Sequence, residues 1–102
     1  MRFAKRPWGF WLVLLKRKRF KIKLLYFKRG GSISLQRHKH RHELWLFLKG
    51  DGLSQYHPAV RGGDYALFKQ FTWHKYTAHK PTWVIEVQYG TKCEEKDIER
   101  HI

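Results

Sequence analysis

Gln36-Arg37-His38-Lys39-His40-Arg41-His42-Glu43 is the stretch on which the reading of this chain turns. Three histidines recur at i, i+2 and i+4 with Gln36 in the same row, so a regular strand aims all four one way. Neutral imidazoles, an amide oxygen and a carboxylate on a rigid scaffold are ligands for a divalent metal. The plainer alternative is a basic surface strand whose histidines are ordinary polar residues. Composition alone does not choose between the two.

Outward from that stretch the pattern is one of short strands divided by turn residues. Trp11–Leu15 and Phe20–Phe27 are aromatic and β-branched enough for strands, with Lys16–Arg19 as a charged turn between them. Within the second, Ile22, Leu24 and Tyr26 alternate with Lys21, Lys23 and Leu25, a half-buried period of two. Gly30-Gly31 breaks the chain. Ile33–His38 and Glu43–Lys49 follow, the latter apolar on both faces, and Gly50-Asp51-Gly52 reads as a tight turn. A short strand is expected around Gln55–His57, then others over Tyr65–Phe68, Phe71–Thr77 and Thr82–Tyr89. Only Glu94–His101 looks helical, with acids first and Arg100 and His101 last, the order the helix dipole favours. Seven or eight strands at this spacing predict an all-β sandwich or barrel with a short C-terminal helix.

Length and charge bound the possibilities. A chain of 102 residues makes one domain, spanning 1–102. With 42% hydrophobic and 17% aromatic residues it is too apolar for a disordered basic tail. The single Cys93 excludes an internal disulfide and a zinc finger built on cysteine pairs, and fits a reducing cytoplasm. Met1–Lys5 followed by Trp8–Leu15 resembles a leader, yet no small-residue cleavage site follows and the apolar run is too short to span a bilayer. The formal charge of +14 is uneven: residues 1–42 hold 14 Lys and Arg and no acid, whereas 43–102 hold 8 of each sign. Such asymmetry points to a polyanionic or phosphorylated partner.

Spacing then sharpens the histidine stretch. Gly30, five residues, Gln36, one residue, His38, four residues, Glu43, six residues and Gly50 resemble the first cupin motif, with Gln36 where a histidine is usual. Downstream, Gly63 and His74 keep their places in what resembles the second motif, while Lys69, Phe71 and Ala78 replace its Pro, Gly and Asn. Arg6-Pro7-Trp8-Gly9, Ile33–His38, Arg41, Glu43-Leu44-Trp45, Ile85–Gly90 and Asp97–Arg100 run in order. Together they resemble the type II mannose-6-phosphate isomerases, the cupin domain often fused to mannose-1-phosphate guanylyltransferases.

The resemblance implies a jelly-roll β-barrel holding one divalent metal on Gln36, His38, Glu43 and His74. Zinc comes first as its identity, with manganese, cobalt, magnesium, nickel and iron as alternatives. It also implies exchange of mannose 6-phosphate and fructose 6-phosphate, which needs a base to move a proton between C1 and C2 and a cation to hold the substrate oxygens. Arg100 matches the family position for gripping phosphate, with Lys23 and Arg41 in support. Glu86, the only other mid-strand carboxylate, is the candidate base, and an outward strand residue beside Gln88 is its other reading. His40 belongs near the ligands or the substrate. Two further readings stay open. A non-catalytic basic cupin would bind nucleic acid or an acidic protein through residues 1–42. A different cupin enzyme, an epimerase or an iron-dependent oxygenase, is the other. The two apolar faces of Glu43–Lys49 favour a homodimer.

Overall fold

Alternation governs the strands, yet on the third the buried row is not the apolar one. The computed structural model describes residues 2–38, 40–54, 60–69, 74–90 and 99–100, with backbone alone at 34–36, 60, 61, 74, 99 and 100. Its strands are β1 (Phe3–Arg6), β2 (Gly9–Lys16), β3 (Phe20–Phe27), β4 (Ser32–Arg37), β5 (Arg41–Lys49), β6 (Asp51–Ser54), β7 (Val60–Arg61), β8 (Tyr65–Phe68), β9 (His74–Ala78), β10 (Thr82–Gly90) and β11 (Glu99–Arg100). Every pairing is antiparallel. One sheet runs β1-β2-β3-β10-β5-β8 and the other β11-β4-β9-β6-β7. A core that includes Trp11, Leu25, Phe27, Ile33, Trp45, Phe47, Phe68, Tyr76 and Val84 fills the space they enclose.

Register across the larger sheet sorts the interior by level. Lys21 pairs with Gln88, Gln88 with Glu43 and Glu43 with Phe68. One level on, Lys23, Glu86, Trp45 and Ala66 stand in a row, and beyond them Leu25, Val84 and Phe47. One end of the interior is therefore polar and the other apolar. Lys21 and Lys23 are buried with Leu25 and Phe27, while Ile22, Leu24 and Tyr26 take the half-buried outer row. A buried ammonium needs an opposite charge close by. Glu86, the pairing partner of Lys23, supplies one on the same inner face. The outer row joins Leu44, Leu46, Ile85 and Val87 in an apolar outer face, on which Leu46 is 39% and Tyr65 69% exposed.

Two glycines set backbones that the site depends on. Gly9 has φ +152°, and a Cβ there would collide with the Tyr26 carbonyl oxygen, so only glycine lets the Pro7-Trp8 turn close on β3. Trp8 then stacks on Phe27 with ring centroids 4.5 Å apart. Gly90, at φ +153°, passes the His40 carbonyl in the same way and brings the end of β10 against Arg41.

The expected strands over β2, β3, β5, β8 and β10 are present, and the charged β2–β3 turn closes with Arg17 N–H donating to the Phe20 carbonyl at 2.8 Å. Two expectations need correction, and one strand, β1, was not anticipated. Gly50 alone makes the turn after β5, at φ +127°, and Asp51 and Gly52 already belong to β6. Strand β1 pairs along β2 at the sheet edge. Where a helix was expected over Glu94–His101, residues 99 and 100 form β11 and pair with β4, because two ladder positions there outweigh the dipole ordering of a short isolated helix. Residues 91–98 and 101–102, and the strand expected at Gln55–His57, lie outside the described residues.

Candidate functional site

A bulge in β4 reverses its parity. Ile33 pairs with Tyr76 and is buried, but after an irregularity before Gln36 the register places Gln36 opposite His74. Ile33 before the irregularity and His38, just past the end of β4, are both buried, so the buried parity differs on its two sides. Strand β11 lies on the other side of β4, with Arg100 opposite Gln36. Backbone pairing thus lines up positions 100, 36 and 74 across the smaller sheet.

Strand β5 supplies the facing side. Arg41, Glu43 and Trp45 all point inward and are buried. His38 Nε2 lies 2.9 Å from Glu43 Oε2, and the Arg41 guanidinium contacts that same oxygen through two nitrogens at 2.9 and 3.0 Å. One Arg41 nitrogen also reaches to 3.4 Å from His38 Nε2. The Trp45 indole N–H is shared between Glu43 Oε1 at 3.2 Å and Glu86 Oε2 at 2.8 Å. Gln88 donates to the other Glu86 oxygen at 2.6 Å. Two carboxylates therefore stand on either side of one indole. Burial, and then repulsion from Glu43, push the Glu86 carboxyl up to about 7, against the partial relief of Lys23 and Arg41.

A cavity of about 160 Å³ runs between the sheets from His38, Arg41 and Glu43, past Glu86, Gln88 and Lys23, to Arg6, Trp8 and Trp11 at the β1–β2 edge. The Lys23 ammonium sits 4.1 Å from the centroid of the Trp11 ring. Gln88 Oε1 is buried with no hydrogen-bond partner among the described residues. Such an acceptor costs roughly 1–3 kcal/mol until something donates to it.

Of the residues singled out in the sequence, His38, Glu43, Arg41, Glu86 and Lys23 meet in this cavity. Gln36, His74 and Arg100 come together by strand register. His40 is exposed at the bend before β5 and does not line the cavity. Half-buried His42 packs its ring on Tyr89 at 5.2 Å, away from the site. His38 nitrogen and Glu43 oxygen are adjacent, buried and of a chemistry that suits a divalent cation, and positions 36 and 74 pair with each other in the smaller sheet. Among the described residues no three His, Cys, Asp or Glu side chains converge, so His38 and Glu43 form the described part of the ligand set. Sequence reasoning missed Arg6, Trp11, Trp45 and Gln88 as site residues. Arg6, Trp45 and Gln88 lie in the segments that carry the family resemblance, which was the available signal.

The family described as mannose-6-phosphate isomerase C-terminal matches residues 2–101. A mannose-1-phosphate guanylyltransferase of Escherichia coli is 34% identical over 104 residues, and the xanthan biosynthesis protein XanB of Xanthomonas campestris pv. campestris (strain B100) 32% over 106. Each match covers 93% of this chain and 21% of the relative, so the chain spans about a fifth of the length of these relatives. Among solved structures, KdgF from a Halomonas species superposes with a TM-score of 0.80 at 15% identity, covering 88% of both chains. An RmlC-like cupin from Shewanella frigidimarina gives 0.77 at 12%, covering 85% of this chain and 78% of that one. At such identities these two speak for the fold alone. A barrel with this topology, matched over nearly its whole length by one family, belongs to the mannose-6-phosphate isomerase C-terminal family of cupins.

Proposed function

We propose that the cavity binds a phosphorylated sugar beside one divalent metal ion and interconverts mannose 6-phosphate and fructose 6-phosphate. The observation that carries this reading is the buried pair Glu43–Glu86 bridged by Trp45, next to an acceptor, Gln88 Oε1, that lacks a donor among the described residues. A sugar hydroxyl satisfies that acceptor, and a carboxyl titrating near 7 is suited to taking and returning a proton near neutral pH.

Gln36, His38, Glu43 and His74 would hold the metal, zinc first among the divalent ions. Bound there, it supplies positive charge that steadies the substrate oxygens as they become negative. Arg41 holds Glu43 in place through its two contacts. Glu86, fixed by Trp45 and Gln88, carries the proton between C1 and C2. Lys23 and Arg100 offer positive charge to the ligand, and exposed His40 takes no step. The relatives are named as a mannose-1-phosphate guanylyltransferase and a xanthan biosynthesis protein, a setting consistent with a cytoplasmic enzyme bearing a lone cysteine. The apolar outer face of the larger sheet is where two copies would pair as a homodimer.

Incubating metal-loaded protein with mannose 6-phosphate and following fructose 6-phosphate by NMR tests the reaction. Turnover that stops on chelation supports it, and none with any of the six metals refutes it. A second reading, a non-catalytic basic module for nucleic acid or an acidic protein, is favoured by the exposed cations Lys16–Arg19, Lys28 and Arg29. It requires oligonucleotide binding that weakens steeply with salt.

A further inference from the structure

At the β1–β2 edge the cavity carries an arginine that no described carboxylate pairs. Arg6 ends β1, lines the cavity and is exposed. Its guanidinium carbon lies 5.6 Å from the centroid of the Trp11 ring, and one nitrogen donates to the Lys5 carbonyl at 3.1 Å. Lys23 approaches the same ring at 4.1 Å, and Arg6, Trp11 and Lys23 all line the cavity. Glu43 accepts from Arg41 and Trp45, beside His38, and Glu86, the pairing partner of Lys23, accepts from Trp45 and Gln88, so among these cations it is Arg6 that no described carboxylate pairs. Arg6 forms no ion pair among the described residues, and no acid precedes Glu43 in the chain.

We propose that Arg6 and Lys23, set on the Trp11 ring, form the subsite for the phosphate group of the ligand. The assignment deepens the sugar-phosphate reading and rests on it for the identity of the ligand. The lining supports it: the buried Glu43 and Glu86 and the exposed Arg6 border one cavity, which sets a phosphate at the rim apart from carbons beside the carboxylates. A guanidinium fork matches two phosphate oxygens at once, and Lys23 adds a point charge from the buried side. Stacking on Trp11 limits the rotamers Arg6 must give up on binding, and glycine at position 9 holds the turn that places it. Arg2 provides an internal control. Its guanidinium lies equally near the ring, at 5.6 Å, but it does not line the cavity.

Calorimetry on the metal-loaded protein with mannose 6-phosphate, inorganic phosphate and mannose separates the possibilities. Arg6→Gln is expected to weaken mannose 6-phosphate and inorganic phosphate by about tenfold, the loss of a charge-assisted contact at a partly solvated rim, and to leave mannose unchanged. Arg6→Lys recovers part of that loss, and Arg2→Gln changes affinity by less than about twofold. Equal losses in the Arg6 and Arg2 variants would reduce the effect to a diffuse positive field and overturn the subsite. Mannose 6-phosphate binding that ignores Arg6→Gln removes the subsite and leaves the sugar-phosphate reading standing. Arg6-dependent binding of inorganic phosphate without mannose 6-phosphate binding does the reverse. No binding of either by the unmodified protein overturns both.

Discussion

Replacing Glu86 with glutamine changes how stability depends on pH. Burial and the nearby Glu43 lift this carboxyl from the ordinary 4.5 to about 7, so the folded protein holds the proton more tightly than the unfolded chain. The stabilisation this gives is fully present below pH 4.5 and is lost as the pH rises through 7. At about 1.4 kcal/mol for each tenfold difference in proton affinity, the metal-free protein loses about 3 kcal/mol across that window through this one group. The amide introduced by Glu86→Gln resembles the protonated acid: its oxygen accepts from Trp45 or Gln88 and its NH₂ donates toward Glu43. Urea unfolding of chelator-treated protein from pH 4.5 to 8.5 reads the effect. Glu86→Gln should match the unmodified protein at the acid end and exceed it by about 3 kcal/mol at the alkaline end. Parallel profiles, with a difference that does not grow with pH, would refute the buried-carboxylate argument.

The remaining expectations follow from the same geometry. Glu86→Gln in the metal-loaded protein should lower kcat by at least about 100-fold while metal content holds, and an unchanged kcat removes Glu86 as the base. Arg41→Met leaves Glu43 buried with His38 as its remaining described ionic partner, and should cost about 3 kcal/mol in urea unfolding. A loss under about 1 kcal/mol would mean that Glu43 is solvated when Arg41 is gone. Leu46→Lys on the outer face should convert a dimer to a monomer in sedimentation velocity. A monomeric unmodified protein rules out pairing through that face.

The spacing from Gly30 to Gly50 was readable because it is local. The β4 bulge, His38 and Glu43 lie close together in sequence, along two consecutive strands, so a linear pattern encodes their meeting. The inward row of β3 was not readable. Ile22, Leu24 and Tyr26 are the more apolar row, and a core-filling rule buries them. The interior at that level is a polar cavity, and it takes Lys21 and Lys23 because Gln88 and Glu86 arrive opposite them from β10, far along the chain. Long-range register of this kind leaves no trace in local alternation. Arg6 was likewise hidden: its position over Trp11 depends on β1 pairing at the sheet edge and on the turn that Gly9 permits. The C-terminal segment failed for a different reason. Its charge order suited a helix, but two positions of edge pairing with β4 decided the backbone at 99 and 100.

Metal content is the most direct test of the barrel as a metal-dependent sugar-phosphate site. Protein purified without a histidine tag, dialysed against zinc and then against metal-free buffer, is to be analysed by plasma mass spectrometry beside His38→Ala and His40→Ala variants. The account predicts about one metal ion per chain in the unmodified protein, near-complete loss in His38→Ala and full retention in His40→Ala, since His38 is buried on Glu43 and His40 is exposed. Metal-free unmodified protein, or a His38→Ala variant that keeps its metal, would contradict it.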